Sequence, residues 1–258
     1  MPLSSPAELP DGNSTVPGNV LDTLLLAATQ IATFEHDRAL TNASGFFFER
    51  DERLFLVTSR HVLYDKPSDH FPNRIEVLLH TSATDLSRSV TLSLLLYKEG
   101  RSLWRQGEDS GGEIDVAMIE LERDTLPAGS RFHAFTPEHL HRPPATVEVG
   151  HSVLVVGFPL GFHDTVHHLP VVRQAVVASA YGIRFQGKGY FLTDARTHRG
   201  TSGAPVVMRD TGAAALPWKL LGVHSARLDM ANRDRVEDES LGLNCAWYAD
   251  ILVTLSAT

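Results

Sequence analysis

The chain has 258 residues, enough to bury a sizeable core, and its 43% hydrophobic and 21% charged residues are ordinary for a globular protein. A formal net charge of -8 excludes general nucleic-acid binding, which needs a basic face. Cys245 is the only cysteine, which excludes an intramolecular disulfide and favours a reducing compartment.

Residues 1–19 hold four prolines among Ser, Asn and Gly and read as a flexible tail. The apolar stretch Leu24 to Ala28 is too short to span a membrane. No Lys or Arg precedes Arg38, so it also lacks the basic flank of a signal peptide. The expectation is a cytoplasmic protein with no membrane partner. Further along, Phe46-Phe47-Phe48 and the apolar 54–57 flank Arg50-Asp51-Glu52-Arg53, a hairpin pattern. Strands are also predicted at 75–79, 90–97 and 114–121. Residues 126–149, broken by several prolines, read as a linker. Beyond it strands are predicted at 152–156, 171–178, 181–193 (turning at Gly187-Lys188-Gly189), 204–208, 220–224 and 243–248, with a closing helix within 249–258. Two sets of about six short strands predict an all-β chain of two small packed barrels, over 20–125 and 150–258.

The organising stretch is Gly200-Thr201-Ser202-Gly203-Ala204-Pro205. Small residues on a tight turn can leave the Ser202 hydroxyl bare, but a free hydroxyl is a poor nucleophile without a base. Among thirteen histidines, His61 stands out because it follows at once on the apolar 54–57 strand. A base needs a carboxylate to fix its tautomer. Asp115 opens an apolar strand, where a charge is costly to bury unless it is paired.

With these roles in the order His61, Asp115, Ser202, the chain resembles the trypsin-like (chymotrypsin-fold) serine peptidases. It is most similar to the bacterial disulfide-free branch, the HtrA protease domains and glutamyl endopeptidases. Ala43-Ser44-Gly45-Phe46, Gly157-Phe158-Pro159, Thr193-Asp194-Ala195 and Gly222-Val223-His224-Ser225 add to the likeness. The resemblance implies two six-stranded antiparallel β-barrels with a short C-terminal helix. His61 and Asp115 would lie in the first barrel and Ser202 in the second. It implies an oxyanion hole from the N–H groups of Gly200 and Ser202, and a substrate strand on Ser225-Ala226-Arg227. Thr197 and His224 would form the pocket for the residue before the cut, giving a preference for Glu or Gln. Arg196 falls where trypsin-type pockets carry an aspartate. Thr201 stands where zymogen-activated relatives carry the aspartate that pairs with a new N-terminus.

The expected activity is a cofactor-free serine endopeptidase acting on a protein or peptide substrate, with room for a regulatory protein partner. The alternatives are a catalytically silent or partner-activated peptide-binding module on the same fold, and an esterase using the same residues. His163, Asp164, His167 and His168 include zinc-ligand types, but they sit on a loop without cysteine, and no metal is expected. Cys245 reads as a small buried hydrophobe, and the mixed charges from Arg233 to Glu239 as a solvated loop beside the cleft.

Overall fold

The computed structural model describes residues 21–141, 146–210, 216–228 and 242–257. The tail expected at 1–19 and the charged run from Arg233 to Glu239 lie outside the described residues.

The first half runs β1 (Ala28–Glu35), β2 (Arg38–Arg50), β3 (Arg53–Thr58), a single helical turn α1 (Arg60–Leu63), β4 (Arg74–His80) and β5 (Ser89–Leu95). The short pair β6 (Tyr97–Lys98) and β7 (Arg101–Ser102) follows, then β8 (Trp104–Asp109) and β9 (Gly112–Leu121). β10 (Ala134–Phe135), inside the proline-broken 126–149 stretch, pairs parallel with β2. The second half holds β11 (Ser152–Gly157), β12 (Val171–Val177), β13 (Tyr190–Asp194), β14 (Pro205–Arg209), β15 (Trp218–Arg227), β16 (Leu243–Tyr248) and the closing helix α2 (Ile251–Ser256).

The second half is a closed six-stranded barrel, β11-β12-β13-β16-β15-β14. The first is instead an eight-stranded sheet in the order β5-β4-β1-β2-β3-β9-β8, with β10 beside β2. No ladder joins β5 to β8 among the described residues. They approach at Leu103 N–H to Leu96 O (2.9 Å), beside an edge-on contact of Tyr97 with Trp104. The reason lies in β8. Its register slips between Gln106 and Glu108, and such a bulge bends a strand. The bend brings Gly107 against Ile251 and Leu255 of α2.

Residues 43–48 of β2, 54–58 of β3 and 116–119 of β9 form a wall buried on both faces, which is why 46–48, 54–57 and 116–119 read as unbroken apolar runs. Phe46, Phe48, Phe55, Val57, Ile114, Val116 and Met118 face a core shared with the second barrel, including Leu192, Val207, Leu220, Val223 and Trp247. The alternate residues Phe47, Leu54, Leu56, Ala117, Ile119 and Leu121 face the core of the first half. The β2–β3 turn is made by Asp51 and Glu52 alone, both at positive φ (51° and 65°), as the tight twisted hairpin turn requires. At the far end, Arg50, Arg53 and Arg105 of the first half donate to the Val253, Ser256 and Leu255 carbonyls (2.6, 3.3 and 3.1 Å). They satisfy acceptors that a helix end leaves unpaired.

One predicted strand shrinks. Residues 181–189 are not strand, and β13 begins only at Tyr190. Tyr181 packs against Phe191 and Tyr248 and hydrogen-bonds Leu221 O (3.3 Å), so it plugs the barrel side rather than extending β13. No helix among the described residues is long and apolar enough to cross a membrane. Cys245 is buried in β16 as a free thiol, its pKa pushed up to about 11 by burial.

Candidate active site

β3 ends at Thr58, and the chain turns at once into α1, which projects His61 over the seam between the halves. Asp115, on β9, holds it twice. His61 Nδ1 lies 2.7 Å from Asp115 Oδ2, and the His61 backbone N–H donates to Oδ1 (2.8 Å). The Ser225 hydroxyl donates to the same Oδ2 (2.5 Å). Three donors compensate a charge that would otherwise be expensive among Ile114, Val116 and Ala117. Burial raises the Asp115 pKa, but the bonds from His61 and Ser225 outweigh it, and the net shift is downward. Burial likewise lowers His61, yet its bond to and attraction by Asp115 leave it above its ordinary value. With Nδ1–H held by the carboxylate, Nε2 carries the free lone pair.

Ser202 rides a turn that only glycine could complete. Gly203 has φ +87°, and a Cβ there would stand 2.1 Å from Ser44 O. Ser202 and His61 line one cleft of about 180 Å³. The Ser202 hydroxyl donates to Ser225 O (3.0 Å) rather than to His61. The N–H groups of Gly200 and Ser202 have no acceptor among the described residues. A larger cleft of about 560 Å³, between β8, Tyr181 and α2, contains none of these groups.

A family model of the trypsin-like peptidase domain matches residues 43–215, and so spans Ser44, His61, Asp115 and Ser202. The chain belongs to the trypsin-like peptidase family. The serine endoprotease of Yersinia pestis shares its fold, with a TM-score of 0.54 at 15% identity. The match covers 91% of this chain but 63% of that one, so this chain spans less than two thirds of that protein. No curated protein matches it in sequence.

In this trypsin-like peptidase the residues expected to form the pocket before the cut are divided. His224 is buried, lines the cleft and is pinned through its backbone by Ala204, Gly203 and Ser59. Burial, then the charge of His61, lower its pKa to about 4, so its imidazole is neutral at pH 7. Its Nδ1 has no hydrogen-bond partner among the described residues. Thr197, by contrast, does not line the cleft. Its hydroxyl donates to Asn244 Oδ1, and the Asn244 amide donates in turn to the carbonyls of Thr193, Ala195 and Gly242. Thr197 thus braces the loop after β13 to β16, and its donor is already used. Arg196 is exposed outside the cleft, whereas His198 and Arg199 line it.

The β14–β15 ladder ends at Pro205↔Val223, and β15 bulges against β16 between His224 and Arg227. Among the described residues, Ser225 and Ala226 therefore have no neighbouring strand on the β14 side. Arg227 belongs to β15, and its side chain lies outside the described set. His163, Asp164, His167 and His168 occupy the β11–β12 loop. Asp164 engages His167 (2.8 Å), and among the described residues no three such side chains converge on a metal position. Sequence reasoning passed over the roles of Thr58, Ser59 and Asn244. Their only signal was a polar residue inside or beside an apolar run.

Because His224 is held neutral, the unfolded chain binds the proton that the folded one refuses. The stability tied to His224 is complete above pH 6.5 and is lost as pH falls from 6.5 towards 4. A His224→Gln variant should lose less melting temperature than wild type between pH 7.5 and 4.5. Parallel melting curves for the two proteins would contradict this.

Proposed function

We propose that the protein is a serine endopeptidase in which Ser202 is the nucleophile, His61 the general base and Asp115 its orienting carboxylate. The observation carrying this is the doubly held His61, with its free Nε2 in the same cleft as Ser202. On substrate binding, Ser202 Oγ leaves Ser225 O, passes its proton to His61 Nε2 and attacks the scissile carbonyl. The imidazolium, stabilised by Asp115, then protonates the leaving amine. Water repeats the sequence on the acyl-enzyme. The unengaged Gly200 and Ser202 N–H groups would hold the oxyanion, each worth a few kcal/mol. Labelling by a fluorophosphonate, abolished in Ser202→Ala, tests the assignment.

The resting bond from Ser202 to Ser225 O favours a second reading, a module that becomes competent only when a partner or substrate turns the hydroxyl towards His61. Wild-type protein that resists the label alone and accepts it with a bound peptide would support that version.

For the residue before the cut we propose Glu or Gln, held by the neutral His224 imidazole and by Arg199 rather than by Thr197. The described lining of the cleft offers three imidazoles and a guanidinium, and no carboxylate. A site built to hydrogen-bond a group strongly rejects analogues lacking it. On fluorogenic peptides differing only at this residue, Glu and Gln should lead, and His224→Ala should erase the preference. A lead for Lys, Arg or Phe would rule it out.

A further inference from the structure

The nucleophile turn is held from behind. Four consecutive carbonyls each have a donor. Leu160 N–H reaches Arg199 O (2.5 Å), the Ser44 hydroxyl reaches Gly200 O (2.8 Å), Ala204 N–H reaches Thr201 O (3.0 Å), and Ser44 N–H reaches Ser202 O (2.9 Å). The C=O and N–H of a trans peptide point in opposite directions. Holding the Arg199 and Thr201 carbonyls on the protein side therefore keeps the Gly200 and Ser202 N–H groups turned the other way. Two of the four donors come from one residue, Ser44, on β2 of the opposite half.

Ser44 is wholly buried and every polar atom it has is used. Its hydroxyl donates to Gly200 O and accepts from Phe158 N–H (2.9 Å), so one oxygen ties the nucleophile turn to the 158–162 turn that carries Leu160. Its own carbonyl accepts from Thr58 Oγ1 (2.8 Å). The space is closed around it. A Cβ on Gly157 would come 2.5 Å from Ser44 Oγ. Gly200, at φ +89°, is a joint of that turn where only glycine avoids a steric penalty.

We propose that Ser44 is a positioning residue for the oxyanion hole. Its hydroxyl would hold the Gly200–Thr201 peptide, which links the two peptides that carry the Gly200 and Ser202 N–H groups, and through Phe158 the turn that bonds Arg199 O, so that both N–H groups are in place before substrate arrives. This rests on the peptidase reading above. In Ser44→Ala, Gly200 O and Phe158 N–H both lose their partner in a buried place, and the turn regains hydrogen bonds only by moving.

The test is steady-state kinetics of Ser44→Ala on the best peptide substrate, with active sites counted by fluorophosphonate. It is paired with inhibition by that peptide as an aldehyde, whose Ser202 adduct places an oxyanion in the hole, and as the matching alcohol, which forms none. The expected result is a fall in kcat of about ten- to a hundredfold, below the loss from deleting an oxyanion donor outright. KM and alcohol affinity should change less than threefold, while aldehyde affinity falls in step with kcat, as differential binding to the transition state requires. An active wild type with kcat in Ser44→Ala within threefold overturns the role, as does equal weakening of aldehyde and alcohol. A wild type that neither cleaves nor takes the label defeats the peptidase reading itself. Should Ser44→Ala not fold, Ser44→Cys keeps a side chain in place but weakens the donor to Gly200 O; a fall in its kcat with KM held supports the role, and unchanged kcat overturns it.

Discussion

Replacing Ser202 by alanine is expected to lower kcat by about a millionfold, and His61→Ala by a similar factor. On the proposed assignment the nucleophile and base act as a unit. Without His61 the hydroxyl keeps its proton, and without the hydroxyl the base has nothing to activate. The double variant should therefore be little worse than either single one. The folded state should survive in both. Ser202 is a half-buried turn residue whose hydroxyl makes one bond, to Ser225 O. His61 is partly exposed on a single helical turn. Kinetics on purified protein of confirmed melting temperature decides the matter, and activity of Ser202→Ala within tenfold of wild type would refute the assignment.

The second large effect is expected at Asp115→Asn, a loss of about ten-thousandfold in kcat from an isosteric change. The carboxylate accepts from three donors, His61 N–H at Oδ1 and both His61 Nδ1–H and Ser225 Oγ–H at Oδ2. An amide has one oxygen and one NH2. If the oxygen takes the backbone N–H, the NH2 faces His61 Nδ1 and forces the proton onto Nε2, where it can no longer accept from Ser202. If the amide turns the other way, NH2 meets N–H and a buried donor is left without an acceptor, itself costing about 1–3 kcal/mol. Either orientation damages the site, the first through chemistry and the second through folding. Normal turnover in a well-folded Asp115→Asn variant would remove Asp115 from the mechanism. With the carboxylate in place, the raised His61 pKa puts the acidic limb of kcat/KM above pH 6.5, because the base must be neutral.

How far these residues could be read from the chain follows from how local their signals are. The hairpin at Arg50 to Arg53, the apolar runs of β3 and β9, and a histidine at a strand end are visible within a few neighbouring positions. β1 and β8 are not. In β1, Thr29 and Thr33 are buried by bonding Leu78 O and Thr41 O, so the strand lacks the apolar alternation that marks a half-buried strand. β8 is broken by its own bulge at Gly107, and β10 is two residues among prolines. The 181–193 stretch looks like one hairpin because Tyr181, Phe185 and Phe191 are strand-forming residues. The aromatic plug made by Tyr181 overrides that preference.

Sequence alone determined which groups are available for the proposed chemistry and their order, His61, Asp115, Ser202, because residue identity and strand alternation are properties of the chain itself. Only the tertiary structure decided how the buried polar atoms are paired. Thr197 spends its hydroxyl on Asn244 instead of the cleft, Ser202 rests on Ser225 O, and Ser44 reaches a carbonyl 156 positions away. It also decided that the first sheet stays open where β8 bends to receive α2. A buried donor or acceptor costs too much to leave unpaired, yet what satisfies it is whichever group the fold brings near, and nothing in the neighbouring sequence names that group.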